Sequence, residues 1–155
     1  MAQAQNFLRP SLAERIFNRV FVVAIGFGLG LRHNYALEVR GRKSGRIFSA
    51  PIDLLEFQGR RYLVAPRGET NWVRNARAAG RVTLRKGRRR EEFAVREVGL
   101  AERPELLKAY LDRFAPTVQR YFPLPRESPA SEFARIAERY PVFELLATSE
   151  TSAQV

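Results

Sequence analysis

The segment that sets the predicted topology is Arg40-Gly-Arg-Lys-Ser-Gly-Arg-Ile-Phe-Ser-Ala-Pro51, which joins two predicted strands through a tight turn. Apolar and charged residues alternate before the segment, and an apolar run that includes Ile52 follows it, as is typical of strands. Gly45 accepts a positive φ, so the backbone can reverse there and direct successive N–H groups toward one point. The segment therefore predicts a hairpin.

Three cationic side chains and a hydroxyl surround this turn. Arg42, Lys43 and Arg46 lie beside Ser44 in the sequence, and charge-assisted hydrogen bonds to phosphate or carboxylate oxygens are stronger than neutral ones. One interpretation is a binding site for a phosphate or for a string of carboxylates. The other is a solvated hairpin tip that carries ordinary surface arginines.

The chain has a formal net charge of +11, and the location of this charge is more informative than its size. Residues 40–96 hold 14 Arg and 2 Lys against five acids, whereas the rest of the chain is neutral overall. A positive field concentrated on one segment predicts an anionic partner. Nucleic acid, anionic lipid and a polyanionic small molecule all satisfy that description.

The composition excludes several kinds of chemistry. A chain of 155 residues has the length of one domain with a buried core. The absence of cysteine excludes disulfides, thiolate nucleophiles and cysteine-bound metals, and a single histidine, His33, excludes histidine triads and multi-histidine metal sites. A lone histidine is more often a cap or surface residue than a catalyst. Any reaction is therefore expected to rest on a bound cofactor or on substrate positioning.

Residues 1–34 predict an N-terminal helical segment, which begins with the capping-box pattern Ser11-Leu-Ala-Glu14. The uncharged run Val20–Leu31 would span about 18 Å as a helix, short of the roughly 30 Å hydrocarbon core of a membrane. We expect no membrane span and no signal peptide, hence a cytoplasmic protein. The segment either packs across a barrel or dimer seam or lies peripherally on the inner membrane surface.

Residues 35–147 predict a mainly β (α+β) domain, an antiparallel barrel with peripheral helices, followed by a polar tail over 148–155. A helix over Trp72–Ala79 is expected to begin at a Thr70 or Asn71 cap and to end at Gly80. A second helix starts at Pro104, a proline-rich covering loop spans Ala115–Pro129, and a third helix holds Phe133 and Tyr140. The predicted strands are Ala36–Arg42, Arg46–Phe57, Arg61–Pro66, a strand through Val82 and Leu84, Phe93–Val98 and Val142–Leu146.

Four motifs in the central segment resemble those of the deazaflavin-dependent nitroreductase family, the split β-barrel proteins, FMN-binding-like in fold, that bind coenzyme F420. The resemblance covers about residues 35–98. In chain order the motifs are Gly41-Arg-Lys-Ser-Gly45, Pro51, Ala65-Pro-Arg-Gly68 and Trp72-Val-Arg-Asn-Ala-Arg-Ala78.

The resemblance implies a role for each matching residue. The first motif would hold the phosphate and the start of the oligoglutamate tail, the segment after the third strand would line the deazaflavin ring, and the last motif would close the site. The implied cofactor-binding residues are Arg42, Lys43, Ser44, Gly45, Arg46, Pro51, Ala65, Pro66, Arg67, Gly68, Trp72 and Asn75.

This chain departs from the family pattern at three places. Phe48 occupies a position that is often basic in the family, although Arg46 could substitute for that charge. Pro66-Arg67-Gly68 stands where the family has Ser-Lys-Gly, and the loop before Trp72 is shorter and lacks a His-Pro pair.

The resemblance implies an oxidoreductase that transfers hydride from reduced F420 to a quinone, a nitro compound or another conjugated acceptor. Catalytic residues are not identified. Tyr110 and Tyr121 are candidate proton donors because they precede or lie in the expected covering loop, and simple packing is the alternative explanation. The partners expected are a small-molecule acceptor, no nucleic acid, and either no second copy or a homodimer.

Two other functions compete with this interpretation. A related barrel could use FMN in place of F420. A non-enzymatic nucleic-acid binder could use the basic hairpin formed by Arg81, Arg85, Lys86 and Arg88–Arg90, although no aromatic residues that could stack on bases are interleaved with those cations.

Overall fold

Six antiparallel strands close into a barrel in the order β1-β2-β3-β6-β5-β4. The computed structural model describes residues 32–148 together with Arg15 and Asn18. The predicted barrel is confirmed, because each predicted strand is present with ends that differ by a few residues. The strands are β1 (Asn34–Arg40), β2 (Ile47–Phe57), β3 (Arg60–Val64), β4 (Arg81–Lys86), β5 (Arg89–Glu97) and β6 (Val142–Ala147).

The turn between β1 and β2 is the tight reversal that the sequence predicts. Gly45 has a φ of 73°, a value that side chains other than glycine rarely adopt, and its N–H donates to the Gly41 carbonyl over 3.0 Å. Gly41 lies against Phe48, and a Cβ there would be 2.6 Å from Cε2 of that exposed ring, which would have to move aside. The Arg40 guanidinium donates to the Gly45 carbonyl over 3.0 Å and braces the turn.

Helix α1 (Asn71–Ala79) follows β3 and a short loop. The prediction that Gly80 ends this helix is confirmed, because Gly80 adopts the left-handed conformation and its N–H donates to the Ala76 carbonyl over 2.8 Å. Thr70 occupies the N-cap position without a side-chain capping hydrogen bond. Val73 and Ala76 of α1 are fully buried in the interior of the barrel, so that interior anchors the helix.

Helix α2 (Arg103–Val118) continues past the predicted start of the covering loop at Ala115, and that part of the prediction is wrong. Phe114 has non-helical dihedrals, φ −115° and ψ 17°, which place Pro116 in the first turn of a new helical segment. Proline is tolerated there because the first N–H groups of a helix need no partner within it. A 3-10 turn, Gln119–Tyr121, follows directly.

The third predicted helix, through Phe133 and Tyr140, is also shorter than expected. It consists of a single turn, α3 (Ala130–Phe133), and a separate 3-10 turn, Ala137–Arg139. Phe133 of α3 and Ala137 of the 3-10 turn are both buried against α2. The apolar spacing thus marks the packed face correctly, whereas the backbone needs only isolated turns to present it.

Two apolar clusters hold the domain together. One fills the barrel and includes Leu37, Leu54 and Phe93, while the other lies between the outside of the barrel and α2 and includes Leu55 and Leu107. Leu54 and Leu55 enter different clusters because successive side chains of a strand point to opposite faces. One face of β2 therefore packs in the barrel interior, and the other faces α2.

The predicted N-terminal helix lies outside the described residues except at Arg15 and Asn18, both of which are helical. The question of membrane or dimer contact by that segment also lies outside them. Within the described part of the chain, no helix is long and apolar enough to cross a membrane.

Candidate active site

A cavity of about 1190 Å³ lies between β2, α1 and α2. Six consecutive residues of β2, 48–53, contribute to its wall. Trp72 of α1 and Tyr110 of α2 lie on other walls. The cavity follows β2, and Asp53 is about 20 Å along that strand from its first residue, using the usual rise of a strand.

The end of the cavity nearest the β1–β2 turn is cationic. Arg42, Lys43 and Ser44 line it. Arg42 is fixed by Asn75, whose side-chain Oδ1 accepts hydrogen bonds from the backbone N of Arg42 at 3.1 Å and from its Nη1 at 2.7 Å. The Ser44 hydroxyl accepts a hydrogen bond from the backbone N of Arg46 over 3.2 Å. Turn and helix therefore present a preorganised set of donors.

The cations of this turn, like the exposed Arg88 and Arg89, have no acidic partner within the described part of the chain. Among the described residues, no carboxylate lies within 4.0 Å of the charged groups of Arg42, Lys43 or Arg46. Arginines elsewhere on the barrel do form ion pairs with acids, for example Arg60, Arg61, Arg77, Arg81, Arg85, Arg90, Arg96 and Arg103. Unneutralised cations at the mouth of a cavity favour an anionic ligand.

The middle of the cavity is largely apolar. Pro51, Val64, Pro66 and Trp72 contribute to its walls, and the indole of Trp72 is 6.0 Å from the ring of Phe143. A flat aromatic group fits walls of this kind, because ring faces and proline rings bury apolar area without needing polar partners.

Not every residue of the implied cofactor site reaches the cavity wall. Eight of the twelve do: Arg42, Lys43, Ser44, Pro51, Pro66, Arg67, Trp72 and Asn75. Gly45 and Arg46 shape the turn behind this surface. Ala65 and Gly68 shape the loop after β3, where the Gly68 N–H donates to the Ala65 carbonyl over 3.1 Å.

The far end of the cavity holds a polar cluster that the sequence did not indicate. His33, Asn34, Asp53 and Tyr110 all line it. Nε2 of His33 is 3.4 Å from Oδ1 of Asp53, and Nδ2 of Asn34 donates to the same oxygen over 2.6 Å. Burial raises the pKa of the Asp53 carboxyl above its ordinary value, while the charge of His33 and the hydrogen bond from Asn34 partly oppose that rise.

The two tyrosines proposed as proton donors both reach the cavity. Burial raises the pKa of Tyr110 well above its ordinary value, and the nearby Asp53 carboxylate acts in the same direction. Tyr110 therefore stays protonated and is a weak acid. Tyr121 lies under two guanidinium groups, those of Arg67 at 5.6 Å and Arg120 at 4.7 Å.

The basic hairpin between β4 and β5 is only partly neutralised by acids. Arg81 pairs with Glu92, while Arg85 and Arg90 both contact the buried carboxylate of Glu38. Nζ of Lys86 lies 5.0 Å from the ring centre of Tyr35. Arg88 and Arg89 are exposed and form no ion pair with an acid of the described residues, so the ion pairs reduce the charge that the hairpin could offer to phosphates without removing it.

The domain is a closed antiparallel barrel flanked by helices, and its elongated cavity has cations at one end and apolar walls in the middle. This architecture is that of the split-barrel proteins that bind flavin-like coenzymes. The sequence matches the F420H2-dependent quinone reductase family over residues 14–123. This match covers more than two thirds of the chain, and the protein belongs to that family. It is an oxidoreductase of an F420-dependent type, as the motifs indicate.

Solved structures agree on the fold. An F420-H2 dependent reductase (FDR-A) is 21% identical, with a TM-score of 0.50 over 76% of this chain and 99% of its own. A chain described as a domain-swapped dimer is 20% identical, with a TM-score of 0.52 over 86% of this chain and 96% of its own. The heme storage protein HutZ of Vibrio cholerae is 10% identical, with a TM-score of 0.54 over 76% of this chain and 83% of its own. No curated protein matches the chain significantly.

Proposed function

We propose that the cavity holds reduced F420 along β2, and that the protein uses it to reduce a quinone or a related conjugated acceptor. The observation that carries this proposal is the cationic end of the cavity, where Arg42 and Lys43 line the wall and have no acidic partner among the described residues. Family membership supplies the coenzyme and the reaction class. The choice of acceptor and the role of each residue are the proposal.

In this arrangement the turn binds the acidic part of the coenzyme. Arg42 and Lys43 contact the phosphate and the first carboxylates of the tail, and the Ser44 hydroxyl adds a neutral hydrogen bond. Asn75 holds Arg42 in place before the ligand arrives, which lowers the entropic cost of binding. Arg46 lies just behind the cavity wall and adds positive field, so it can stand in for the basic residue that Phe48 replaces.

The apolar middle of the cavity receives the ring system. When bound there, the reduced deazaflavin supplies the hydride. Trp72, Pro51 and Pro66 fix the plane of the ring and keep water from it, while the loop from Ala65 to Gly68 sets the depth to which it enters. No side chain acts as a nucleophile in this scheme.

The donor set also distinguishes F420 from FMN. FMN carries a single phosphate, which two cations neutralise, whereas F420 carries a phosphate followed by a run of carboxylates. Three cations without acidic partners, on a segment that holds the whole excess charge of the chain, suit the longer polyanion better.

We further propose that the protein is a homodimer. Ile47 and Phe48 open β2 with 53% and 51% of their surfaces exposed, and they lie beside the cavity mouth, where a second copy would cover them. A similar chain is described as a domain-swapped dimer. Light scattering behind a sizing column tests this proposal: a dimer that Phe48→Ser converts to a monomer supports it, and a wild-type monomer contradicts it.

Calorimetric titration with F420 tests the coenzyme site. Lys43→Ala removes one charge-assisted contact worth about 1.5–3 kcal/mol, so its Kd should rise at least roughly tenfold. Arg88→Ala removes the same charge from the exposed hairpin tip and is the matched control, with an expected change below about twofold. The gap between the variants should narrow at high salt. Equal F420 affinity and equal quinone turnover in wild type and Lys43→Ala would show that the β1–β2 turn does not bind the coenzyme.

A further inference from the structure

We infer that His33 donates the proton that the acceptor needs after hydride transfer, and that Asp53 and Asn34 hold the His33 imidazole in place. This inference rests on the reductase activity proposed above and assigns a catalytic residue to it. His33 would touch the acceptor and act directly on the reacting oxygen. Asp53 and Asn34 would act through His33 and are positioning residues.

The imidazole is held from several directions at the cavity wall. Its Nε2 is 3.4 Å from Oδ1 of Asp53, and its ring lies 4.7 Å from that of Phe114, tilted by 42°. The His33 carbonyl accepts a hydrogen bond from the backbone N of Leu54 over 2.8 Å, which ties the residue to β2. The Asp53 carboxylate is thus within ion-pair distance of the imidazole, and His33 itself lines the cavity.

The carboxylate that pairs with His33 is itself fixed. Asn34 and Asp53 are directly opposite each other in the β1–β2 pair, and the Asn34 amide donates to Asp53 over 2.6 Å. Asn34 is buried. A carboxylate anchored in this way can orient a neighbouring imidazole, which is a role such pairs have in general acid catalysis.

The chemistry of the acceptor requires such a donor. Transfer of a hydride brings two electrons and one hydrogen to a quinone and leaves one oxyanion. In the step that completes the hydroquinone, the N–H bond of the His33 imidazolium breaks and an O–H bond forms on that oxygen. His33 becomes neutral and regains its proton from solvent, which reaches it because 27% of its side chain is exposed.

Other ionisable groups border the same cavity. Tyr110 faces Asp53 from α2, and its raised pKa makes it a poor acid. Tyr121 lies under Arg67 and Arg120, and Tyr121→Phe is therefore a second comparison for His33→Gln in the assay below. Arg113 lies over the ring of Phe114, 5.8 Å from its centre. His33 is the one histidine in the whole sequence.

The cluster of His33, Asn34 and Asp53 lies at the end of the cavity that is farthest from the cationic turn. The cationic turn is at the start of β2, and Asp53 is about 20 Å along that strand. If the turn holds the coenzyme tail and the apolar middle holds the ring, the remaining end is left for the acceptor. His33 lies at that end, where a quinone oxygen would be presented to it.

A binding measurement without turnover is the first test. Because the chain has a single histidine, the side-chain NMR signals of His33 can be followed without assignment. We expect tetramethyl-1,4-benzoquinone, added to protein saturated with oxidised F420, to shift those signals saturably. Unchanged histidine signals at saturating quinone would overturn the inference. Failure of F420 to bind at all would instead count against the function proposed above.

The second test separates proton donation from a structural role by comparing two acceptors. Tetramethyl-1,4-benzoquinone gives a weakly acidic hydroquinone, whereas tetrachloro-1,4-benzoquinone gives an acidic one that needs little help from a donor. His33→Gln should slow reduction of the first about 100-fold, the scale of general acid catalysis, and of the second less than about tenfold. His33→Asn should behave in the same way and serves if the glutamine variant folds poorly.

Three results would contradict the inference in this comparison. The first is an equal loss of rate with both quinones, which a merely structural role of His33 would give. The second is no loss with either quinone. The third is a loss of rate in Tyr110→Phe that is larger for the quinone with the less acidic hydroquinone, together with no such difference in His33→Gln. That result would make Tyr110 the proton donor. Asp53→Asn should show the same dependence on acceptor acidity as His33→Gln with a smaller loss.

Discussion

Asn75 Oδ1 accepts two hydrogen bonds from Arg42, one from its backbone N at 3.1 Å and one from its Nη1 at 2.7 Å. The two residues are 33 positions apart in the chain, on different elements. Asn75 is buried on α1, so a single amide fixes both the backbone and the side chain of the cationic turn. The geometry of the anion site therefore depends on the packing of α1 into the barrel.

Asn75→Ala should weaken F420 binding, because Asn75 holds Arg42 in place. The change leaves the Arg42 backbone N–H without its partner and frees the guanidinium, at a cost of about 1–3 kcal/mol. We expect a loss of roughly tenfold or more in F420 affinity by calorimetry, together with a lower melting temperature. Gln58→Ala, which removes an exposed amide side chain in the turn between β2 and β3, away from the cavity, is the control. Similar losses in both variants would contradict the special role of Asn75.

Trp72 should report coenzyme binding directly. It is the one tryptophan of the sequence and lies on the cavity wall, so a ring bound beside it should quench its fluorescence. A titration with F420 should give the same Kd by fluorescence as by calorimetry. Trp72→Phe should abolish the fluorescence change while heat of binding remains. A bound coenzyme that leaves the tryptophan signal unaltered would place the ring elsewhere.

Arg103→Ala should destabilise the domain through its buried hydrogen bonds. Arg103 is 8% exposed; its guanidinium donates to the carbonyls of Val98 at 2.9 Å and Ala137 at 3.2 Å and to the Glu97 carboxylate at 3.3 Å. Removing it leaves buried acceptors unpaired, and we expect the free energy of unfolding in urea to fall by about 2–4 kcal/mol.

The ion pair between the exposed Arg60 and the buried Glu144 provides the comparison for Arg103. Arg60 is 63% exposed, with its guanidinium 3.5 Å from the carboxylate, and Glu144 keeps a second ion pair, with Arg96 at 2.6 Å, so the solvent-screened contact of Arg60 should contribute at most about 1 kcal/mol. Arg60→Ala should therefore leave the urea midpoint nearly unchanged. A larger effect for Arg60 than for Arg103 would contradict the assignment of stability to burial.

Asp53→Asn should stabilise the protein at neutral pH. Because burial raises the pKa of Asp53 in the folded state above its ordinary value of 3.8, ionisation of this group opposes folding. The sign follows from linkage: wild type loses stability relative to the variant as pH rises from about 3.8 through the raised folded value. The difference in free energy of unfolding should be largest at neutral pH and vanish in acid. A wild type that is more stable than the variant at pH 7 would contradict this.

Glu69→Gln should have the opposite sign. The hydrogen bond from Arg77 lowers the pKa of Glu69 below its ordinary value of 4.5, so the ionised carboxylate stabilises the fold. That contribution is present above pH 4.5 and is lost as pH falls through the lowered folded value. Urea unfolding at pH 7 should show Glu69→Gln less stable than wild type, with the gap closing in acid. A gap that widens in acid would reverse the assignment.

Much of the site follows from local sequence alone. Gly45 permits the reversal of the backbone. Arg42 and Lys43 are adjacent in the short turn between two paired strands, so their side chains extend from nearly the same place. The helix over residues 71–79 and its end at Gly80 are local as well, since apolar spacing and a left-handed glycine decide them. The anionic preference of this end could therefore be predicted.

The C-terminal end of α2 and the short turns after it could not be predicted from local sequence. Pro116 suggests a break, but the deviation at Phe114 moves that proline into a first helical turn, where it is tolerated. Between Ala130 and Tyr140 the helical spacing of apolar residues is satisfied by two isolated turns. Packing against the barrel decides both cases.

By itself, the sequence determined the barrel, the cationic turn and the coenzyme class, because these depend on residues close together in the chain and on motifs of fixed order. Only the tertiary structure brought His33 against Asp53, twenty positions away, and both into one cavity with Tyr110 of α2. A lone histidine and a strand aspartate carry no shared pattern. Their meeting depends on the register of β1 on β2 and on the docking of α2, which burial of apolar surface fixes.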